Sequence, residues 1–399
     1  MTPLTTPAPH GWYIRDADSF STLCARMRSA HRIGLDTEFI GEDRFTPRLE
    51  LIQVAVDDTC AVVDVPALGT LDGLGGILAN PKIEKIFHAG RQDLDLLAAH
   101  TGETPAPFFD TQVAASMVGY GLQVAYSQLV QKVTGQKLEK AHTFTNWSQR
   151  PLTPDQLAYA FEDVQFLFAI HDHLLKRLKS LDRMEWVQEE FARLQTLVGT
   201  AARDPRERYQ RIRGWENLKP KQAAVLRELA AWRDEEAQRR NVPRGRVIRD
   251  EVLVELARRP PHTVEAMRGV RGLHGNEVEK RGEAILSTIQ RGLAVPPSDW
   301  PEVPQSKRTE PESAGQVDLL QAVLKARATG EHMAPTLLAT SSDLQALVEA
   351  KHDREKLDLP ILNGWRRKLA GELLLQVLDG KVSVSVDHRS GKLKISHHS

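Results

Sequence analysis

The spacing of apolar residues changes character several times along the chain. Ile33-Gly34-Leu35, Val62-Val63-Asp64-Val65 and Lys85-Ile86-Phe87 are short apolar runs of strand length and composition. Between and after them apolar residues recur every three or four positions, most plainly over 156–174. This alternation predicts an α/β domain over 1–200, with a central sheet flanked by helices. The pattern breaks at Arg203-Asp204-Pro205-Arg206, and Gly214 and Pro220 mark 201–218 as a connector. From 219 to 293 only helical spacing occurs, as in 223–232 and 277–289, so a small helical bundle is expected there. Pro296, Pro297, Pro301, Pro304 and Pro311, mixed with Ser and Glu, predict an exposed linker over 294–315. Helical spacing returns after 316. The last residues alternate like a strand over 381–386, and a turn at 387–391 leads into Lys392-Leu393-Lys394-Ile395, which predicts a terminal hairpin.

With 399 residues, 41% of them hydrophobic, the chain can build two or three domains. Cys24 and Cys60 are its two cysteines. No apolar run reaches about 18 residues, and the Thr/Pro-rich start lacks the core of a secretion signal, which predicts a cytoplasmic protein without a membrane segment. The 53 Lys and Arg balance the 53 Asp and Glu. That balance excludes a globally basic nucleic-acid coat, so attraction for a polyanion must come from local charge.

Acidic residues carry the candidate chemistry. In an extended strand Asp36 and Glu38 project from the same face. Four residues apart on a helix, Tyr159 and Asp163 also share a face. Asp93 opens the helix-like run that contains Leu94, Leu96 and Leu97. Carboxylates packed together are driven towards protonation unless cations lie between them. The set fits two oxygen-ligated divalent cations, Mg²⁺ or Mn²⁺. Such pairs, about 3.5–4 Å apart, promote in-line attack on phosphate, and phosphodiester hydrolysis follows as the expected reaction. Asp110, ahead of the apolar run 113–118, is expected to be a helix N-cap and not a ligand. His88 is expected to be a packed histidine, since magnesium prefers oxygen. His142, Asn146, Trp147 and Arg150 form a polar stretch suited to meeting a nucleic acid, Arg150 through guanidinium–phosphate pairing and Trp147 as a packing anchor.

Three motifs in order make the first half of the chain resemble the DEDDy 3′–5′ exonucleases and, within them, the ribonuclease D family. The first is Leu35-Asp36-Thr37-Glu38-Phe39 with Pro47 and Leu51-Ile52-Gln53-Val54. The second is Phe87-His88-Ala89-Gly90-Arg91-Gln92-Asp93-Leu94 with Phe109-Asp110-Thr111-Gln112, and the third is Tyr159-Ala160-Phe161-Glu162-Asp163-Val164 preceded by Asn146-Trp147 and Arg150-Pro151-Leu152. The resemblance implies a ribonuclease H-like fold with a mixed sheet, and RNA with a free 3′ end as substrate, tRNA precursors in particular. It implies that Asp36 bridges both metals, Glu38 and Asp163 hold the metal that carries the attacking water, Asp93 positions the second metal, and Tyr159 orients the water.

The stretch 219–293 resembles the HRDC domain, through 226–233, the loop 239–248 and Val270-Arg271-Gly272-Leu273 leading to Gly282. Residues 316–399 resemble a diverged second copy with a strand-like tail. Arg239, Arg240, Arg244, Arg246 and Arg249 fall within eleven residues that contain no acid, a local field suited to an RNA backbone. Two alternatives stand beside the exoribonuclease: a DNA 3′–5′ exonuclease of the same superfamily, and an RNA-binding adaptor with an inert exonuclease fold. The intact acidic set and Tyr159 count against the second.

Overall fold

The computed structural model describes residues 10–41, 43–138, 145–198, 205–273, 275–303, 311–351 and 353–398. His142 lies outside the described residues, as do residues 203–204 and 304. The chain divides into two units: Met1–Glu38, Glu50–Val198 and Thr309–Ser399 form the first, and Phe39–Leu49 with Gly199–Arg308 the second.

The first unit is built on a six-stranded sheet ordered β1-β4-β3-β2-β5-β6. Its strands are β1 (His10–Ile14), β2 (Arg32–Ile40), β3 (Arg48–Val56), β4 (Thr59–Asp64), β5 (Glu84–Phe87) and β6 (Phe108–Asp110). β1 runs parallel to β4, β4 antiparallel to β3, and β5 parallel to both β2 and β6. The sheet is therefore mixed, as expected. β3 and β4 are buried along almost their whole length, the state of strands covered on both faces.

Gly34 lets a helix press close on β2. A Cβ there would stand 3.0 Å from Leu167 Cδ1 and 3.1 Å from Ala55 Cβ. The 156–174 stretch, expected as one helix, is two: Pro154–Gln165 and Leu167–Ser180, parted at Phe166. Apolar periodicity crosses the break because Val164, Leu167, Ile170 and Leu174 all enter one core, so the pattern does not register it. The first of these helices is fixed at its start by the reciprocal Thr153–Gln156 capping pair, with Pro154 in the first turn.

The C-terminal segment is helical, with Pro311–Gly330, Ser341–Glu349 and Glu372–Leu378, and ends in an antiparallel hairpin of β7 (Val382–Val386) and β8 (Leu393–His397). Its first helix starts inside the stretch read as linker, since proline suits a first helical turn. Leu320, Leu347 and Trp365 share one core with Met117, Leu178 and Val187, so the segment packs into the first unit. Trp365 stacks on Trp186 with ring centroids 5.0 Å apart. Arg366 forms a two-pronged pair with Glu190, with Nη2 3.0 Å from Oε2, and Trp365 Nε1 donates to Glu190 Oε1 at 3.1 Å. Burial by itself raises the Glu190 pKa, but these donors hold it below the usual carboxylate value.

The second unit packs Pro220–Arg240, Asp250–Arg258 and Gly275–Leu293 around Leu226, Leu229, Leu253, Leu256 and Ile285. Tyr209, Ile212 and Leu218 are buried in the same core. The stretch read as a connector is thus, over 205–218, part of the helical unit. The β2–β3 connection also belongs here: Thr46 N donates to Asn241 Oδ1 at 3.2 Å, and the Arg244 guanidinium lies 4.4 Å from the Phe45 ring centroid.

Arg366→Ala removes one half of a buried pair and leaves Glu190 charged in the core, so it should destabilise the first unit by about 3–5 kcal/mol. Glu190→Gln combined with Arg366→Met should recover most of that loss, because the remaining amide oxygen still accepts from Trp365. Chemical denaturation of the two variants beside the parent protein measures both effects; equal losses would show that the charge pair is not the dominant contact.

Candidate active site

β2 presents Asp36 and Glu38 on one face, as the strand period requires. The last turns of the Pro154–Gln165 helix bring Asp163 to them. Ligand oxygens of Asp36, Glu38 and Asp163 all lie within 4.8 Å of one another. Asp93 is not in that group. It sits buried in the first turn of the Arg91–Thr101 helix and accepts a short hydrogen bond from the Thr37 hydroxyl. Thr37, between the two acids of the first motif, thereby ties the second motif to the first. That helix starts in a tight turn at Gly90, where a Cβ would stand 2.4 Å from Phe87 Cβ.

Burial first, and the neighbouring carboxylates second, push Asp36 and Asp163 well above the usual carboxylate range. The same causes raise Glu38 to about 8, with Asp93 as the neighbour, and burial raises Asp93 to about 6 against the lowering effect of Thr37. Asp163 Oδ2 is buried without a hydrogen-bond partner among the described residues, a costly state for a carboxylate oxygen unless a cation compensates it. Three convergent carboxylates, with no thiolate or imidazole among them, fit a hard divalent cation.

Tyr159 is half-buried one turn before Asp163, its ring 5.9 Å from that of Trp147. Burial and the nearby Asp163, Glu38 and Asp36 carboxylates raise the pKa of its phenol. Trp147 packs with Leu51, Val62, Leu152 and Ala160, the anchor role expected of it. Arg150, expected to meet RNA, is committed within the fold. Its Nε and Nη2 reach Asp64 at 2.6 and 2.9 Å, and Nη1 donates to the Trp147 carbonyl at 2.6 Å. Asp64 also accepts from Tyr13 Oη at 2.5 Å. The guanidinium locks the loop before the third motif onto the end of β4.

Asp110 caps its helix through the amides of Gln112 and Val113 and also accepts from Gly90 N at 2.9 Å. His88 is bonded to Thr111 Oγ1 at 2.9 Å and to the Val124 carbonyl at 3.1 Å, and burial lowers its pKa. Both are structural, as expected. Two further groups near the site were assigned no role from the sequence, Gln53 although it stands in the first motif. Gln53 is fully buried with both amide atoms lacking a partner among the described residues, and the Tyr126 hydroxyl touches the backbone on either side of Asp163.

In the second unit the arginine cluster is partly neutralised. Arg239 pairs with Glu236 at 2.8 Å, Arg240 reaches the same carboxylate at 3.9 Å, and Arg244 pairs with Asp234. Arg246 and Arg249 are exposed, with no ion pair among the described residues. Arg249 stands between two concavities, one of about 440 Å³ lined also by Arg208 and Arg211, the other of about 1250 Å³ lined also by Arg213, Arg258 and Arg271.

A 3′–5′ exonuclease family model matches residues 12–179, and an HRDC domain model matches 222–289. The ribonuclease D of Acidiphilium cryptum is 37% identical over 96% of this chain and 96% of its own length, and that of Gluconacetobacter diazotrophicus 38% identical over 94% of each. The chain belongs to the ribonuclease D family. The crystal structure of Escherichia coli RNase D, described as an exoribonuclease involved in structured RNA processing, superimposes with a TM-score of 0.83 at 26% identity, covering 93% of this chain and 99% of that one. As a member of the ribonuclease D family the chain is a hydrolase, a 3′–5′ exoribonuclease. No helix among the described residues is long and apolar enough to cross a membrane.

The raised carboxylates fix the sign of a pH effect. Groups whose folded pKa exceeds the unfolded value of about 4 favour folding most at low pH, and that contribution disappears as pH rises through the folded values. In chelator, thermal stability of the first unit should therefore fall between pH 5 and 8.5, and added Mn²⁺ should raise the melting temperature more at pH 8 than at pH 5.5. Asp163→Asn should flatten the slope. A melting temperature in chelator that is level or rising over this range would contradict the burial of repelling carboxylates.

Proposed function

We propose that this exoribonuclease works by two-metal-ion catalysis, releasing nucleoside 5′-monophosphates from RNA 3′ ends, with tRNA precursors as its substrate class. The observation that carries the reading is the convergence of the Asp36, Glu38 and Asp163 carboxylates, raised in pKa by burial and by one another. Asp36 would hold both cations, Glu38 and Asp163 the one beside the attacking water, and Asp93, steadied by Thr37, the other. Bound Mg²⁺ or Mn²⁺ supplies a lowered pKa for that water and charge to stabilise the attacking and leaving oxygens.

The protein's own groups do the rest. Tyr159, one turn from Asp163 and raised in pKa by its surroundings, stays protonated at neutral pH. It orients the attacking water as a hydrogen-bond partner and does not act as a bulk base. Exposed Arg246 and Arg249, the latter lining two concavities with further arginines, offer charge to the RNA backbone. The tRNA assignment draws on family membership, and the role of the E. coli relative in structured RNA processing supports it.

End-labelled precursor tRNA and DNA of the same 3′ sequence, digested with and without chelator, test the reading. Stepwise shortening from the RNA 3′ end, abolished by chelator and restored by Mg²⁺ or Mn²⁺, is expected. Asp36→Ala should lower turnover at least about 10³-fold while the protein stays folded. Activity surviving full chelation would overturn the metal reading.

Tyr159→Phe keeps the ring and deletes the hydroxyl. Single-turnover rates at saturating RNA should fall about 10²-fold with RNA affinity little changed. An unaltered rate would reduce Tyr159 to packing.

A further inference from the structure

The break between the Pro154–Gln165 and Leu167–Ser180 helices has a specific cause. In a continuous helix the Phe166 amide would donate to the Glu162 carbonyl four residues earlier. Here the Tyr126 hydroxyl is inserted between them: it donates to the Glu162 carbonyl at 3.1 Å and accepts from Phe166 N at 3.2 Å. Insertion of a side chain into the backbone ladder is a recognised origin of helix kinks. Phe166 accordingly leaves helical geometry, with φ −103° and ψ 0°. Asp163 directly follows the bridged Glu162, so the hydroxyl governs the turn that aims this carboxylate at Asp36 and Glu38.

Tyr126 is itself held from the second motif. The carbonyl of Val124, two residues before it, accepts from Gln112 Nε2 at 3.2 Å and is bonded to His88 Nε2 at 3.1 Å. The His88 ring meets the Tyr126 ring edge-on, with centroids 5.4 Å apart. His88 is fixed in turn by Thr111. A continuous set of contacts thus runs from the second motif through one phenol to the acid of the third.

We propose that Tyr126 is a positioning residue for catalysis, its inserted hydroxyl setting the orientation of Asp163 towards the cation site. The proposal rests on the metal-dependent reading of that site. Without the hydroxyl, the Glu162 carbonyl and Phe166 amide are free to close a direct helical bond, which draws the turn carrying Asp163 away from its present place. Loss of a partner that orients a metal ligand costs about 10–100-fold in metal affinity or activity, and a displacement of about 1 Å at a reacting centre costs on the order of 10²-fold in rate.

Tyr126→Phe in the full chain tests this, with Mn²⁺ as the probe. Mn²⁺ affinity, followed by electron paramagnetic resonance without RNA, should weaken about 10-fold, and single-turnover rates should fall about 10–100-fold. RNA affinity and melting temperature in chelator should stay close to wild type. Val130→Ala, which loosens the Tyr126–Thr134 helix at a fully buried position and leaves the hydroxyl bridge in place, should lower the melting temperature without changing Mn²⁺ affinity. Wild-type Mn²⁺ affinity in Tyr126→Phe, or equal weakening in Val130→Ala, overturns the positioning role. Failure of the parent protein to bind Mn²⁺ at all would instead defeat the underlying metal reading, so the two are distinguishable.

Discussion

Everything in the first unit answers to one constraint: carboxylates that repel one another must be held together in a poorly hydrated place. Left alone, Asp36, Glu38 and Asp163 would separate or take up protons. The fold opposes this with groups that have no part in the chemistry. β2 is embedded between β3 and β5, Gly34 admits a helix hard against it, and Arg150 clamps the loop ahead of the third motif to Asp64. Each of these spends packing or hydrogen bonds on holding an arrangement that is electrostatically unfavourable until a cation arrives. Strain of this kind is tolerable only on a scaffold with stability in reserve.

Much of the site was legible because its residues obey short periods. Asp36 and Glu38 share a face through the strand period of two, and Tyr159 and Asp163 through the helical spacing of four. Asp93 and Asp110 each sit at a helix start marked by the apolar residues that follow. Sheet and helix types were legible for the same reason, and the strand-like tail after 381 did form a hairpin.

What the sequence hid depends on partners far apart in the chain. Arg150 looks like a loop cation ready for phosphate until Asp64, 86 residues away, claims it. Arg366 and Glu190 are separated by 176 residues, so nothing local shows that the C-terminal helices complete the core of the first unit. The kink at Phe166 is hidden for a different reason: a hydroxyl replaces a backbone bond without disturbing the apolar repeat. A conformational break imposed by one inserted polar atom leaves no trace in hydrophobic spacing.

The first unit is interrupted by about one hundred residues of the second, since it resumes only at Thr309. During synthesis the catalytic strands and helices therefore emerge well before Trp365 and Arg366, the residues that close their core. Until Trp365 and Arg366 emerge, Trp186 lacks its stacking partner and Glu190 its two-pronged guanidinium. The intervening helical unit takes all but Phe39–Leu49 from one continuous stretch. A chain ending before Trp365 would thus bear every acidic residue of the site yet lack the two side chains that close the core around Trp186 and Glu190.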